Sequence, residues 1–279
     1  MPQITLSSVE GDPPFVPDQL WKPPNDPSLH LPRILCLHGG GTNARIFRTQ
    51  CRVIRARLVT FFRLVFVDAP YFSRPGPDVE LVYADWGPFR SWRRPGYVAG
   101  DGIKLHHAEQ GEIEKIDQSI RQGMDKDDEL GATGAWVGLM GFSQGANIAA
   151  SLLLRQQNQA AKVGAQTGRL QSILPLKTSF CFAVLLAGRA PLLCMEPHLN
   201  AHLAAESPVQ SLLQLPTVHV HGLKDVGITM HRELLKCCER ESTRVVKWDG
   251  DHRVPIKTQD VALLVIAVLD AASKGGVII

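Results

Sequence analysis

Residues 136–150 read WVGLMGFSQGANIAA, a short apolar run that leads into Gly-Phe-Ser-Gln-Gly and then into small residues compatible with a helix. A Gly-x-Ser-x-Gly pattern between a strand and a helix is typical of a nucleophile elbow, a strained turn that exposes a serine hydroxyl. The glycines two positions before and two positions after the serine leave room for the tight backbone. Ser143 is therefore the candidate nucleophile.

After Pro32 the chain alternates short apolar runs with helical patterns. This alternation predicts an α/β fold with a doubly wound, mostly parallel sheet. The predicted strands are Arg33–Leu37, Leu64–Val67, Ala135–Met140, Phe180–Leu186, Thr217–His221 and Arg244–Trp248. The predicted helices are Asn43–Leu58, Gln144–Gln157, Thr229–Arg240 and Thr258–Ala272.

Two segments fall outside this alternation. Residues 1–32 are rich in proline, which predicts an extended N-terminal arm ahead of one α/β domain over residues 33–279. Residues 70–107 interrupt the rhythm at a length typical of a lid or a binding loop. The aromatic residues of this insertion either line an apolar acyl pocket or hold the insertion on the core, and the sequence favours neither. They are Phe72, Tyr83, Trp86, Phe89 and Trp92.

Composition argues against several classes of protein. A net charge of +3 is too small to indicate a nucleic-acid partner, and no nucleic-acid-binding motif accompanies it. The longest apolar run, Val261–Leu269, is too short for a membrane span, and no signal-peptide pattern opens the chain, so we expect a cytoplasmic protein without a membrane partner. The six cysteines show neither disulfide density nor metal-ligand spacing, and the adjacent His106 and His107 lack further ligands. We expect free thiols, no metal and no cofactor.

A serine nucleophile needs a histidine that accepts its proton and an acid that orients the histidine. In α/β-hydrolases the three residues follow the order Ser, acid, His. His252 lies in a glycine-containing loop after the last predicted strand, where an imidazole can reach the carboxyl edge of the sheet. His219 and His221 lie inside a predicted strand and are expected to pack there.

The preferred acid is Asp225, which follows the predicted strand Thr217–His221 after a short loop. Asp249 and Asp251 are closer to His252 in sequence. Neighbours in a tight loop rarely point at one imidazole, however, so position favours Asp225 over both.

Acyl transfer also requires N–H donors for the oxyanion of the tetrahedral intermediate. One expected donor is the N–H of Gln144, directly after the serine, and the other comes from the loop Gly39–Gly41 after the first strand. The glycine run matches neither a phosphate-binding P-loop nor a dinucleotide fingerprint. Together, these parts predict a serine hydrolase.

Several motifs carry a resemblance to a known family. They are Leu37–Asn43, Phe66–Pro70, Gly141–Gly145, His221–Asp225 and Gly250–His252. From about residue 33 to 270 the chain resembles the fungal serine hydrolase family. Within it, Ile46–Gln50 and Ala84–Trp92 look like the stand-alone thioesterases of fungal polyketide biosynthesis, of the type that releases the lovastatin nonaketide.

The resemblance implies an α/β-hydrolase that releases a polyketide acyl chain from the acyl carrier domain of a fungal polyketide synthase, in secondary metabolism. It implies Ser143, Asp225 and His252 as the catalytic triad, with Gly40 and Gln144 as oxyanion donors. His-Gly-Gly-Gly shifts which glycine amide points inward, so Gly41 stays an alternative to Gly40. Two other functions stay open: a carboxylesterase for small esters, and a non-enzymatic binding protein on a hydrolase scaffold.

Arginines are concentrated in two places. A basic stripe on the first predicted helix is expected to meet an acidic carrier domain, although such stripes are more often solvated faces. Arginines in the insertion are expected to attract the phosphate of a phosphopantetheine arm. The stripe consists of Arg45, Arg48, Arg52 and Arg55, and the insertion contributes Arg90, Arg93 and Arg94.

Overall fold

The computed structural model describes residues 26–95, 106–165, 178–196 and 212–278. Within these ranges the strands are β1 (Arg33–Leu37), β2 (Arg63–Val67), β3 (Tyr71–Phe72), β4 (Arg90–Ser91), β5 (His106–His107), β6 (Trp136–Phe142), β7 (Phe182–Leu186), β8 (Leu193–Cys194), β9 (Thr217–Gly222) and β10 (Thr243–Trp248). The helices are α1 (Ala44–Gln50), α2 (Arg52–Leu58), α3 (Pro77–Tyr83), α4 (Gln110–Glu129), α5 (Gln144–Ala165), α6 (Ile228–Lys236) and α7 (Thr258–Lys274).

The central sheet has the spatial order β10-β9-β7-β6-β1-β2, and all five strand pairings in it are parallel. This confirms the predicted doubly wound sheet. The chain places β2 on one side of β1 and β6 on the other, so the winding direction reverses at β1. In open α/β sheets, such a reversal leaves a crevice at the carboxyl ends of the strands, where ligands bind.

Two apolar layers cover the two faces of the sheet. Because alternate residues of a strand face opposite sides, Leu35 and Leu37 of β1 pack with α4 and α5, whereas Ile34 and Cys36 pack with α1, α2 and α7. All residues of β1 and β7 are buried. The loops at the carboxyl edge are therefore attached to strands that are held from both sides.

The helices depart from the sequence prediction at several points: α5 runs on to Ala165, α6 ends at Lys236, and the short α3 was not predicted. The single helix predicted over Asn43–Leu58 is two helices, because the backbone of Cys51 leaves helical geometry at a ψ of 9°. Helix α4 was not predicted at all. Its buried face carries Ile113, Ile116 and Ile120, spaced by three and four residues within an otherwise strongly polar segment.

The start of the described chain packs against the domain. Asp26 forms an ion pair of 2.6 Å with Arg63, and the carbonyl of Leu29 accepts a hydrogen bond from the N–H of Thr133. Residues 1–25 of the predicted arm lie outside the described residues, as do residues 96–105 of the insertion.

The described part of the insertion folds onto the loop after β1. Strands β3 and β4 pair antiparallel, and α3 lies between them.

All six cysteines are free thiols, as expected. None of the helices within the described ranges combines the length and the apolar character that a membrane span requires.

Candidate active site

Ser143 lies on a strained turn between β6 and α5. Its φ of 52° falls in the left-handed region, which residues other than glycine rarely adopt. A Cβ at Gly141 would collide with the backbone of Gly145, and one at Gly145 would collide with the carbonyl of Leu37 in β1. The flanking glycines are therefore required by close backbone packing, and the turn has the geometry of a nucleophile elbow.

The structure brings Ser143, His252 and Asp225 into one hydrogen-bonded series. The distance between Ser143 Oγ and His252 Nε2 is 2.9 Å, and the distance between His252 Nδ1 and Asp225 Oδ2 is 2.6 Å. The other carboxylate oxygen, Asp225 Oδ1, accepts the N–H of Gly227 at 2.7 Å. A carboxylate bonded to Nδ1 fixes the tautomer that leaves Nε2 free to accept the serine proton.

The two competing carboxylates point elsewhere. Asp249 is an exposed partner of Lys224 at 2.8 Å, and Asp251 pairs with Arg253 at 3.3 Å. The acid that contacts His252 is therefore the one at the end of β9, because the carboxyl ends of parallel strands meet at the same edge of the sheet.

Asp225 is kept ionised by its hydrogen bonds. Burial of its side chain by itself raises the pKa of a carboxyl group, but the bonds from Gly227 and His252 outweigh that effect and hold the pKa of Asp225 below its usual 3.8. An ionised carboxylate at this position stabilises the imidazolium that forms when His252 accepts a proton.

The glycine loop after β1 distinguishes the two candidate oxyanion donors. The N–H of Gly41 already donates to the carbonyl of Arg90 at 2.9 Å, and Gly41 has a φ of 73°. Gly40 instead faces Gln144, since a Cβ at Gly40 would lie 3.2 Å from the Gln144 side chain. The geometry therefore favours Gly40 over Gly41 as the partner of the Gln144 N–H.

His38 stabilises the glycine loop through hydrogen bonds, a role that the sequence did not predict. The N–H of Ala69, after β2, donates to His38 Nε2 at 3.0 Å, so Nδ1 carries the proton and faces the carbonyl of Gly39 at 2.7 Å. Burial lowers the pKa of His38 to about 4, so the ring is neutral near pH 7. The His-Gly-Gly-Gly pattern was the available signal for this residue.

The side chain of Gln144 joins the elbow to the insertion. Its Oε1 accepts the backbone N–H of Trp92 at 2.7 Å and the hydroxyl of Ser91 at 3.1 Å. Trp92 is fully buried in the core, and its indole N–H donates to the carbonyl of His38 at 2.8 Å. Trp92 therefore attaches the insertion to the core. Of the two roles that the sequence left open, lining an acyl pocket or holding the insertion, it has the second.

The other insertion aromatics lie nearer the surface. Tyr83 and Trp86 form an edge-to-face pair with ring centroids 5.2 Å apart, and Arg45 lies 4.1 Å above the Trp86 ring. Phe89 is half-buried, as are Tyr83 and Trp86, whereas Phe72 is 67% exposed. Phe72 therefore lines no enclosed pocket.

The arginines of the insertion are engaged in contacts. Arg93 forms a buried ion pair with Glu112 at 3.1 Å, and Arg94 pairs with Glu109 at 2.7 Å. Arg90 covers the ring of Phe72 at 4.4 Å. These contacts weaken the expectation that the three residues receive a phosphate.

The predicted arginine stripe continues across α1 and α2. Arg45, Arg48 and Arg52 are exposed, and Arg55 is half-buried. Within the described ranges, no salt bridge involves these four residues.

Two further residues contact the site without having been predicted. Arg189, in the loop after β7, places Nη2 3.5 Å from His252 Nδ1 and 4.0 Å from Asp225 Oδ1. His231, on α6, places Nε2 3.4 Å from Asp225 Oδ2. Neither belongs to a motif, because each reaches the site only through the packing of its own loop or helix.

Asp225, His231 and His252 also have donor atoms within 4.8 Å of one another, as a metal site would. The carboxylate oxygen and His252 Nδ1 are 2.6 Å apart, whereas two ligands on one tetrahedral zinc are separated by about 3.3 Å. This arrangement therefore fits a direct hydrogen bond better than shared coordination.

Comparisons with known proteins agree with this geometry. The family described as "Serine hydrolase (FSH1)" matches residues 28–263. The chain is 54% identical over 250 residues to a "Probable esterase" of Aspergillus terreus, covering 90% of this chain and 92% of the relative. It is 48% identical over 275 residues to "Esterase pigG" of Monascus ruber, covering 91% and 96%.

A solved structure supports the same fold. Acyl-protein thioesterase 2 of Zea mays superposes with a TM-score of 0.51 at 16% identity, over 87% of this chain and 94% of that chain. A likeness at this identity shows the α/β-hydrolase fold alone. The family match and the curated relatives establish the enzyme class, and the chain therefore belongs to the FSH1 serine hydrolase family.

Proposed function

We propose that this serine hydrolase is a thioesterase that releases a polyketide acyl chain from an acyl carrier domain, with Ser143, His252 and Asp225 as its catalytic residues. The observation that carries the chemistry is the pair of hydrogen bonds that connects Ser143 Oγ to His252 and His252 to Asp225. The choice of a carrier-bound polyketide is supported by the sequence resemblance described above, carried by Ile46–Gln50 and Ala84–Trp92.

In the proposed reaction, Ser143 Oγ attacks the acyl carbonyl while His252 Nε2 accepts its proton. The N–H groups of Gly40 and Gln144 donate to the oxyanion. His252 then returns the proton to the departing thiol, which leaves an acyl-enzyme. Water activated by the same imidazole releases the acid, and a different acceptor at this step would give an ester or a lactone.

A carboxylesterase acting on small esters is the second candidate. The curated relatives are named esterases, which favours this activity as much as it favours a thioesterase. The same residues would catalyse both reactions, so only substrate preference separates them. The third possibility from the sequence, a non-enzymatic scaffold, conflicts with membership of a hydrolase family.

The decisive experiment follows acyl transfer by intact mass. Wild-type protein and the Ser143→Ala variant are incubated with acylated carrier proteins and with matched simple esters. We expect release of acid from the carrier by the wild type only, with loss of activity in Ser143→Ala and an unchanged unfolding curve. Release from simple esters alone would favour the carboxylesterase, and full activity in Ser143→Ala would refute the mechanism.

We also propose that the arginine stripe on α1 and α2 accelerates docking of an acidic carrier domain. Arg48→Glu with Arg52→Glu should lower kcat/KM for the carrier-bound substrate about tenfold and flatten its dependence on salt, because rim charges act mainly on association. Activity on a simple ester should not change. Arg57→Glu, at another exposed arginine of α2, is the matched control, and an equal effect there would contradict a specific docking role.

A further inference from the structure

A group of three buried histidines lies behind the acid of the site. His219 and His221 lie two residues apart on β9 and therefore face the same side of the sheet, and His231 comes from α6. The ring centroids of His219 and His221 are 5.9 Å apart, and those of His221 and His231 are 5.5 Å apart. The His231 ring is 6.2 Å from that of His252, so the series ends at the proposed catalytic base.

His231 is the member of this group that faces the acid. Its side chain is fully buried, and its Nε2 lies 3.4 Å from Asp225 Oδ2, the oxygen that also contacts His252. Among the described residues, neither ring nitrogen of His231 has a hydrogen-bond partner within normal geometry, and the 3.4 Å approach to Asp225 is an ion-pair contact. The carboxylate is therefore the polar group that this imidazole meets.

The chemistry of the contact fixes which nitrogen carries the proton. A lone pair on Nε2 would face a buried carboxylate oxygen and repel it, whereas an N–H at the same place is attracted to it. A distance of 3.4 Å is long for this bond, but such contacts are often long before substrate binds. Burial lowers the pKa of His231 to about 4, so the ring is neutral near pH 7 and carries a single proton.

We propose that His231, through an Nε2–H directed at Asp225 Oδ2, is a positioning residue that holds the Asp225 carboxylate in line with His252. The N–H of Gly227 holds only the other oxygen, so without His231 the direction of Oδ2 depends on its bond to the mobile proton acceptor His252 alone. This inference rests on the proposed catalytic role of Asp225. It assigns to His231 no contact with substrate.

Other charged and titratable groups around His231 provide no substitute. Arg189, from the loop after β7, contacts Asp225 through the opposite oxygen at 4.0 Å. His221, from β9, faces the His231 ring and not the carboxylate pair. The remaining neighbour among the described residues is His252 itself, so removal of the His231 ring leaves His252 as the one ring nitrogen that faces Oδ2.

The first test measures the wild-type imidazole directly and uses a substitution only to assign its signals. In wild-type protein labelled with ¹⁵N-histidine, the chemical shifts of the two ring nitrogens report which one is protonated, and the His231 signals are identified by their loss in His231→Gln. We expect a neutral ring protonated on Nε2. A neutral ring protonated on Nδ1 would overturn the proposal, because Nε2 would then present a lone pair to the carboxylate.

The second test compares three variants in steady-state hydrolysis. His231→Leu should lower kcat about tenfold with KM unchanged, the size expected for a lost hydrogen bond to a charged group. His231→Gln, which keeps a side-chain N–H, should recover most of that loss. His219→Leu replaces an equally buried histidine that does not contact Asp225. It should leave kcat within about twofold, because a packing change away from the site acts mainly on stability.

The outcomes separate this inference from the proposed function. Equal kcat in wild type, His231→Leu and His219→Leu would refute the positioning role while leaving hydrolysis by Ser143 intact. A comparable loss of kcat in both leucine variants, without rescue by His231→Gln, would also refute it. If wild-type protein shows no hydrolysis that depends on Ser143, the proposed function fails, and the tautomer measurement still decides whether His231 donates to Asp225.

Discussion

Gly40 and Gly41 are adjacent in the sequence but differ in what their backbone does. The N–H of Gly41 is bonded to Arg90 and its φ is positive, so this residue shapes the loop. Gly40 faces the Gln144 side chain, next to the proposed oxyanion site. One glycine therefore contributes to stability, and the other is expected to contribute to catalysis.

Alanine at each position should separate these contributions. Gly41→Ala should lower the free energy of unfolding by at least about 1–2 kcal/mol, because a Cβ is strained at this φ and meets the backbone of Gly76. Gly40→Ala should retain most of the stability and lower kcat on the order of tenfold, less than the loss of a whole oxyanion donor. Urea unfolding and ester hydrolysis measure the two effects.

The reverse result would reassign the donor. If Gly41→Ala folds as well as wild type and loses kcat, while Gly40→Ala is fully active, then the amide of Gly41 points to the oxyanion and its bond to Arg90 is broken in the working enzyme.

The insertion is attached to the glycine loop along its length. The N–H of Arg90 donates to the carbonyl of Thr42, and the carbonyl of Arg90 accepts the N–H of Gly41. The N–H of Gly76 donates to the carbonyl of Gly41. Asn43 caps α1 through its Oδ1, and its Nδ2 donates to the carbonyl of Trp86. A segment bonded in this way sets the shape of the loop that it covers.

Trp92 is the side chain that fastens this insertion to the core. Trp92→Ala should cost about 3–5 kcal/mol of unfolding free energy, because it empties a fully buried site and leaves the His38 carbonyl without its donor. Phe72→Ala, at an exposed aromatic of the same insertion, should change stability by less than about 0.5 kcal/mol. Thermal and urea unfolding of both variants provide the check, and a change in KM with stability retained in Trp92→Ala would instead indicate a pocket role.

Much of the element pattern and the outline of the site follow from the sequence. Strands that are buried on both faces read as continuous apolar runs, so their ends, and with them Ser143, Asp225 and His252, could be located. Helix α4 was missed because its charged residues mask a narrow apolar stripe. His231 and Arg189 could not be found, because their contacts depend on how α6 and the loop after β7 pack in three dimensions.

At the scale of the whole molecule, four histidines of the described ranges are buried and neutral near pH 7. Burial lowers the pKa of His38, His221 and His231 to about 4 and that of His219 to about 3, from an ordinary 6.5. When the chain unfolds, each of these rings returns to its ordinary pKa. Between pH 6.5 and about 4 the unfolded chain therefore binds protons that the folded protein does not.

Stability should consequently fall as the pH is lowered through this window. The slope of the unfolding free energy against pH should correspond to an uptake of up to about four protons when the chain unfolds. The depressed pKa of Asp225 acts in the same direction below pH 3.8. Urea unfolding at a series of pH values measures the slope, which His219→Leu should reduce by about one proton, and a flat profile from pH 6.5 to 4 would contradict the neutral state of the buried rings.

The series from Ser143 to His252 spans 109 positions of the chain and ends in the loop after β10, the edge strand of the sheet. A nascent chain that has already folded its elbow and glycine loop still lacks the proposed base and acid, so we expect it not to attack acyl groups during synthesis. By the same reasoning, the return of hydrolysis during refolding should mark the docking of β10. Activity should therefore recover later than the signals of probes placed in β1 and β6.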